Sequence, residues 1–204
     1  MRKTFILAIL TTSLIIYSCK KEDSTTGNDT NPLKGSWKFL GMTAHTNATT
    51  SANYGGMYMS TVATSDYTSI QASGTVIFSD SIASSQGIGY SVTTNVLVAS
   101  YEAGQLVDTT SQPVSFTAPP TSSASQYKII GSDSVYFSAG ALTTGTMPGG
   151  SATPVSAAGY KFHITGDTLL TLSSSFAKDS ILNTGGVSAT LRQQATFTTT
   201  LRRQ

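Results

Sequence analysis

Apolar and polar residues alternate with a period of two along much of the chain. In "ATLRQQATFTTTLRR", Leu191, Ala195, Phe197 and Leu201 fall on one face of an extended segment, and Arg192, Gln194, Thr196, Thr198, Thr200 and Arg202 on the other. "GIGYSVTTNVLVASY" keeps Ile88, Tyr90, Val92, Val96 and Val98 in register. Two segments read as hairpins: "YKIIGSDSVYF", turning at Gly131-Ser132-Asp133, and "YKFHITGDTLLTL", turning at Thr165-Gly166-Asp167. Further strands are expected at Gly35 to Ala44, Gly74 to Ser79, Leu106 to Val107 and Val114 to Thr117. Beyond residue 18 no segment holds a helical period for three turns, so the fold class is all-β.

The alternation fades in three stretches rich in Gly, Ser, Thr and Pro: Thr46 to Ser73, Ala118 to Ser125 and Thr143 to Ala158. Their composition predicts loops, and loops of such length are functional or mobile in compact domains. Met57, Tyr58 and Met59 place bulky apolar groups inside the first. They either cap a barrel mouth, line a binding site, or tuck back onto the core.

Residues 1–18 have the parts of an export signal: Arg2 and Lys3, then an apolar stretch from Phe5 to Tyr17, then the small Ser18. The stretch falls short of the about 20 residues that cross roughly 30 Å of hydrocarbon. Ile16-Tyr17-Ser18-Cys19 resembles the lipobox of bacterial lipoproteins. That resemblance implies cleavage before Cys19 and thioether attachment of diacylglycerol to its sulfur. It also gives a lone cysteine a purpose, because one thiol forms no intrachain disulfide and each buried methylene adds about 0.8 kcal/mol of membrane affinity. Residues 19–32 are expected to be a flexible tether, since Lys20 to Asn31 offer no aliphatic side chain to bury. Within them Lys21-Glu22-Asp23 resembles an outer-face export signal of some Gram-negative lipoproteins. It is equally readable as a solvated charge run. An outer-membrane lipoprotein, on the periplasmic or cell-surface face, is the expected location.

Composition narrows what residues 33–204 can be. They form one domain with room for a core. The formal charge is +2, and the leader carries both surplus cations in Arg2 and Lys3. A neutral domain is a poor nucleic-acid ligand, because phosphate binding needs a basic surplus. Charged residues are 11% of the chain, against about a quarter in ordinary proteins.

The chemistry-bearing residues are few. His45 and His163 are the histidines. His163 lies in "YKFHITG", facing away from Phe162 and Ile164, and His45 is placed near the end of the first strand. Both are expected on the surface, not as catalytic bases. No catalytic constellation, metal-ligand spacing or cofactor motif stands out. Seven of the eight aspartates precede Ser or Thr. The pattern resembles an O-glycosylation signal of some exported proteins, and it equally suits aspartates that shape turns before strands.

"LKGSWKFLG", Leu33 to Gly41, opens the domain with Gly35-x-Trp37, and the last strand carries Arg202 and Arg203. This resembles lipocalin-like domains. The resemblance implies that Trp37 packs beside a late-strand arginine and that about eight strands close an antiparallel up-and-down barrel, with room inside for one small ligand. Gly35 and Trp37 are the matching motif residues. The same strands would also serve a β-sandwich. Two functions follow: a lipid-anchored binding module for a small, partly apolar ligand, or an accessory lipoprotein that docks through its loops to an outer-membrane assembly.

Overall fold

The structure, a computed structural model, describes residues 31–139, 157–184 and 186–204. Cys19, the leader and the tether through Thr30 lie outside the described residues, as does most of the Thr143 to Ala158 stretch. Nine strands are present: β1 (Gly35–Tyr54), β2 (Met57–Thr68), β3 (Ile70–Phe78), β4 (Ile82–Glu102), β5 (Gln105–Ile130), β6 (Ser134–Phe137), β7 (Ala158–Thr165), β8 (Leu169–Thr184) and β9 (Val187–Arg203). Every pairing is antiparallel, and β9 returns to pair with β1 from Ala189 to Arg203. That pairing closes a ring.

β2 and β3 are two parts of one stave. Both pair with β1 on one side and β4 on the other, and Ser69 alone separates them. Counted this way, the ring is an up-and-down barrel of eight staves, as expected. The ring-like pairing takes the place of the sandwich alternative.

The staves differ greatly in length, which divides the barrel into two halves. In the closed half, β6 and β7 bridge β5 to β8 through Tyr127–Ile130 of β5 and Leu169–Ser173 of β8. Inside it Trp37, Phe39, Phe78, Phe137, Leu33, Leu170 and Leu201 are fully buried. Phe78, Tyr127, Phe137 and Tyr160 form a chain of ring contacts with centroids 5.3 to 6.4 Å apart. In the open half, β8, β9, β1, β2, β4 and β5 continue as a curved six-stranded sheet. There Gln105–Gln126 of β5 pair with β4 alone, and Ser174–Thr184 of β8 with β9 alone, among the described residues.

Trp37 seals the closed end. Its indole N–H donates to the Leu33 carbonyl at 2.7 Å, and the Arg203 guanidinium lies 4.5 Å from its ring centre. Arg203 also donates to the Pro32 carbonyl at 3.0 Å. Gly35 starts the strand at φ +129°, a conformation that side-chain-bearing residues rarely adopt. Two residues further, the alternation places Trp37 and Phe39 inward, until a bulge between Phe39 and Gly41 shifts the register. Leu40 is the extra residue, and Met42 and Ala44 then take the inner face.

Three expectations need correction. Thr46 to Ser73 is not a loop: it is mostly the β1–β2 hairpin, turning at Gly55-Gly56, and the start of β3. Ala118 to Ser125 is strand as well, and the Leu106–Val107 and Val114–Thr117 segments belong to the same 26-residue β5. Composition misled here because threonine is a good strand former, and because most buried positions of these segments carry small residues, Ser65, Ser69, Ala118 and Ser125, which leave little hydrophobic alternation to read. Finally, the tether ends earlier than residue 32. Asn31 donates through its side-chain amide to Tyr127 and to the Ser79 carbonyl, so Asn31 and Pro32 belong to the barrel end.

Candidate functional site

Among the described residues the closed half is packed with large buried side chains, Trp37, Phe39, Phe78, Phe137, Leu170 and Leu201 among them. The inner face of the open half is different. Strand alternation and register carry inward-pointing residues across the sheet in rows. One row runs Leu182, Ala189, Ala52, Met59 and Glu102 over five strands. Another runs Lys178, Gln193, Ala48, Ala63, Val98 and Thr110. The lining therefore mixes small and apolar residues with polar ones, Glu102, Lys178, Gln193 and Thr110 among them.

Large apolar side chains on this face reach solvent. Tyr54 is 67% exposed, Met57 51%, Leu182 44% and Met59 41%. Tyr58, Leu106, Val107 and Ile181 add exposed apolar groups close to the hairpin ends. The Met57-Tyr58-Met59 run neither tucks back onto the core nor sits in a loop. It starts β2, with Met57 and Met59 on the inner face and Tyr58 on the outer.

The floor of the open half meets the core at Tyr67, Phe116, Tyr90 and Phe197. Tyr67 packs edge-on against Phe116, with centroids 6.2 Å apart. Its hydroxyl is buried without a hydrogen-bond partner among the described residues. Burial, and secondarily the neighbouring Tyr90, push the Tyr67 hydroxyl well above the ordinary tyrosine range. A buried, unsatisfied hydroxyl costs about 1–3 kcal/mol.

The outer face holds a shallow depression of about 320 Å³, lined by Thr43, Ala44, His45, Asp66, Tyr67, Thr68, Thr196 and Thr198. His45 sits in the middle of β1, not near its end. Its Nδ1 donates to the Asp66 carboxylate at 2.7 Å, and both side chains are largely exposed. His163 stands alone on β7, exposed and opposite Thr171. The two histidines are not brought together, and no group of three or more potential metal ligands occurs among the described residues.

Of the aspartates that precede hydroxyl residues, Asp80, Asp133 and Asp167 lie in turns immediately before β4, β6 and β8. Asp133 is held by Lys161 at 2.9 Å, and that hydrogen bond, with help from Ser134, lowers its carboxyl pKa. Asp108 and Asp179 instead lie within strands.

Sequence reasoning passed over two features that topology creates. The incomplete wall between β5 and β8 depends on stave length, which alternation did not reveal. The His45–Asp66 pair joins residues 21 apart across β1 and β2, and only the hairpin register brings them together. Compared with known proteins, the chain matches no family, no curated protein and no solved structure.

Proposed function

We propose that this chain is an exported, lipid-anchored binding module of the outer membrane, with the inner face of the open half as its binding surface. The observation that carries the reading is the exposure of Tyr54, Met57, Met59 and Leu182 on one concave, partly apolar face. Exposed apolar surface gathered in one place marks interaction sites, whereas scattered single residues need no explanation. An inner face that mixes apolar groups with polar ones such as Glu102, Lys178 and Gln193 suits a small, partly apolar ligand. The filled closed half directs such a ligand to the open sheet and away from the barrel axis.

The lipoprotein part of the proposal rests on Ile16-Tyr17-Ser18-Cys19, with the lipid on Cys19. The lipocalin-like resemblance through Gly35 and Trp37 adds the idea of a ligand carrier. Contact between Trp37 and Arg203 supports it.

Native mass spectrometry of the protein extracted from the cell envelope is the test. A bound mass is expected in the wild type and should be lost in the Met57→Ser/Met59→Ser/Leu182→Ser variant, at an unchanged melting temperature. Equal retention by the variant would overturn the concave-face assignment. For the anchor, Cys19→Ser should move the protein out of the membrane fraction or leave the leader uncleaved. Membrane fractionation of a cleaved Cys19→Ser protein at wild-type levels would overturn it.

A further inference from the structure

The depression on the convex face is separate from the concave surface, and its lining has a distinct chemistry. The register sets its residues in two rows. Thr68, Thr43 and Thr198 lie side by side on β2, β1 and β9, and Asp66, His45 and Thr196 do so one step along. Side chains on adjacent strands stand about 4.5–5.5 Å apart. Threonines in a strand hold few rotamers, so the hydroxyls are presented with little freedom to lose on binding.

Hydrogen-bonding capacity is left over on every polar group. Asp66 uses one oxygen for His45, leaving Oδ2 as an acceptor. With Nδ1–H donating to Asp66, the other ring nitrogen of His45, Nε2, has no partner among the described residues and is left for a ligand hydroxyl. Thr43, Thr68 and Thr196 make no side-chain hydrogen bond to described residues, while Thr198 pairs with Ser173 at 3.1 Å.

The lining also disfavours other ligand classes. No lysine or arginine lines the depression, so an anion finds no fixed counter-charge there. One carboxylate and one imidazole are too few for a metal site built from clustered ligands. Ala44 and Tyr67 also border it, but both are buried and lie on the opposite, inward parity of their strands, so an apolar ligand gains little. What fits is a neutral molecule whose own groups both donate and accept, with C–H faces for the threonine methyls.

We propose that this depression is a carbohydrate-binding site, in which Asp66 Oδ2 and His45 Nε2 accept from adjacent sugar hydroxyls and Thr43, Thr68 and Thr196 complete the ring of contacts. A volume of about 320 Å³ lies at the small end of ligand sites, suited to one or two sugar rings.

The chain has two histidines, so imaging the imidazole nitrogens by long-range proton–nitrogen NMR reads His45 against His163 as an internal control. The protein without its leader and lipid would be titrated separately with glucose, maltotetraose, cellotetraose and chitotetraose. Saturable shifts at His45 Nε2 and at the Thr43 and Thr196 amides are expected with at least one probe, with His163 unmoved. Shifts with glucose equal to those with a tetrasaccharide would assign a free sugar, and shifts with tetrasaccharides alone a polysaccharide chain. Thr43→Val/Thr196→Val keeps the side-chain shape, and it should weaken the binding about tenfold or more with the melting temperature unchanged. Absence of a saturable His45 shift with all four probes would overturn the proposal. So would equal shifts at His163, or full affinity in the double variant. Loss of the concave-face ligand would leave all these results untouched, so the two sites fail independently.

Discussion

The two ends of β9 teach what holds this barrel together. Leu201 and Leu191 lie on the same strand and the same inner face, ten residues apart. Leu201 is fully buried against the closed-half core, beside Leu170 across β8 and Phe39 across β1. Leu191 faces the open half, is only partly buried, and sits in a row with Ser180 and Thr50. Backbone pairing is the same in both places. What differs is whether the wall opposite is complete, and hence whether a side chain leaves water on folding. The closed half supplies stability and the open half supplies surface.

Placing one substitution in both halves should produce the largest contrast. Leu201→Lys is expected to prevent folding, because an unpaired buried charge costs several kcal/mol against a total stability of about 5–15 kcal/mol. Leu191→Lys should leave a cooperative melt, because a lysine there can run its stem along the sheet and put its ammonium in water. Circular-dichroism melts of both variants decide the matter. A damaged Leu191→Lys beside an intact Leu201→Lys would reverse the assignment of the halves.

Truncation should give a smaller contrast of the same sign. Trp37→Ala removes a fully buried ring and the platform for Arg203, at an expected cost of about 3–5 kcal/mol. Met59→Ala, in the open half, is expected to stay within about 0.5 kcal/mol of the wild type. Denaturant midpoints with unchanged slopes would measure both.

At the boundary between the halves, Tyr67→Phe sharpens the picture. Its buried hydroxyl has no partner among the described residues, so deleting the oxygen should stabilise the protein by about 1 kcal/mol. A loss of stability would show that the hydroxyl is engaged in solution.

The smallest effect concerns pH. Hydrogen bonding from Lys161 holds the exposed Asp133 carboxyl below its ordinary pKa. A group with a depressed folded pKa contributes stability above its unfolded pKa, and that contribution is lost as pH falls through the folded value. Lys161→Ala should therefore flatten stability slightly over the acid range and leave it unchanged in shape near neutrality. Melting temperatures at stepped pH would register the difference.

The same division explains what was legible in the sequence. Period-two alternation is legible where the inner face carries large apolar side chains, whether that face is fully dry or only partly buried. Trp37 and Phe39, Tyr90 and Val92, and the Leu191 to Leu201 series pointed to the correct inner face, and both Gly/Asp hairpin turns were found. Thr46 to Tyr54 and Met57 to Thr68 carried little such signal, because their inward positions are held mostly by Thr, Ala and Ser, and they read as loop. Their register could not be read either, so the His45–Asp66 pair stayed hidden although His45 itself was in view. The Met57-Tyr58-Met59 run did stand out as three bulky residues among serines and threonines, although the sequence equally allowed them to tuck back onto the core.

Native-state hydrogen exchange along β1 tests the two-half account most directly, since a single strand crosses both halves and pairs on both sides throughout most of its length. Amides from Trp37 to Ala44 are expected to exchange only on global unfolding. Those from Asn47 to Tyr54, with equal hydrogen bonding but little buried apolar contact, should open locally and exchange orders of magnitude faster. Equal protection along the whole strand would mean that the open half is as firmly held as the closed one, and would contradict the account.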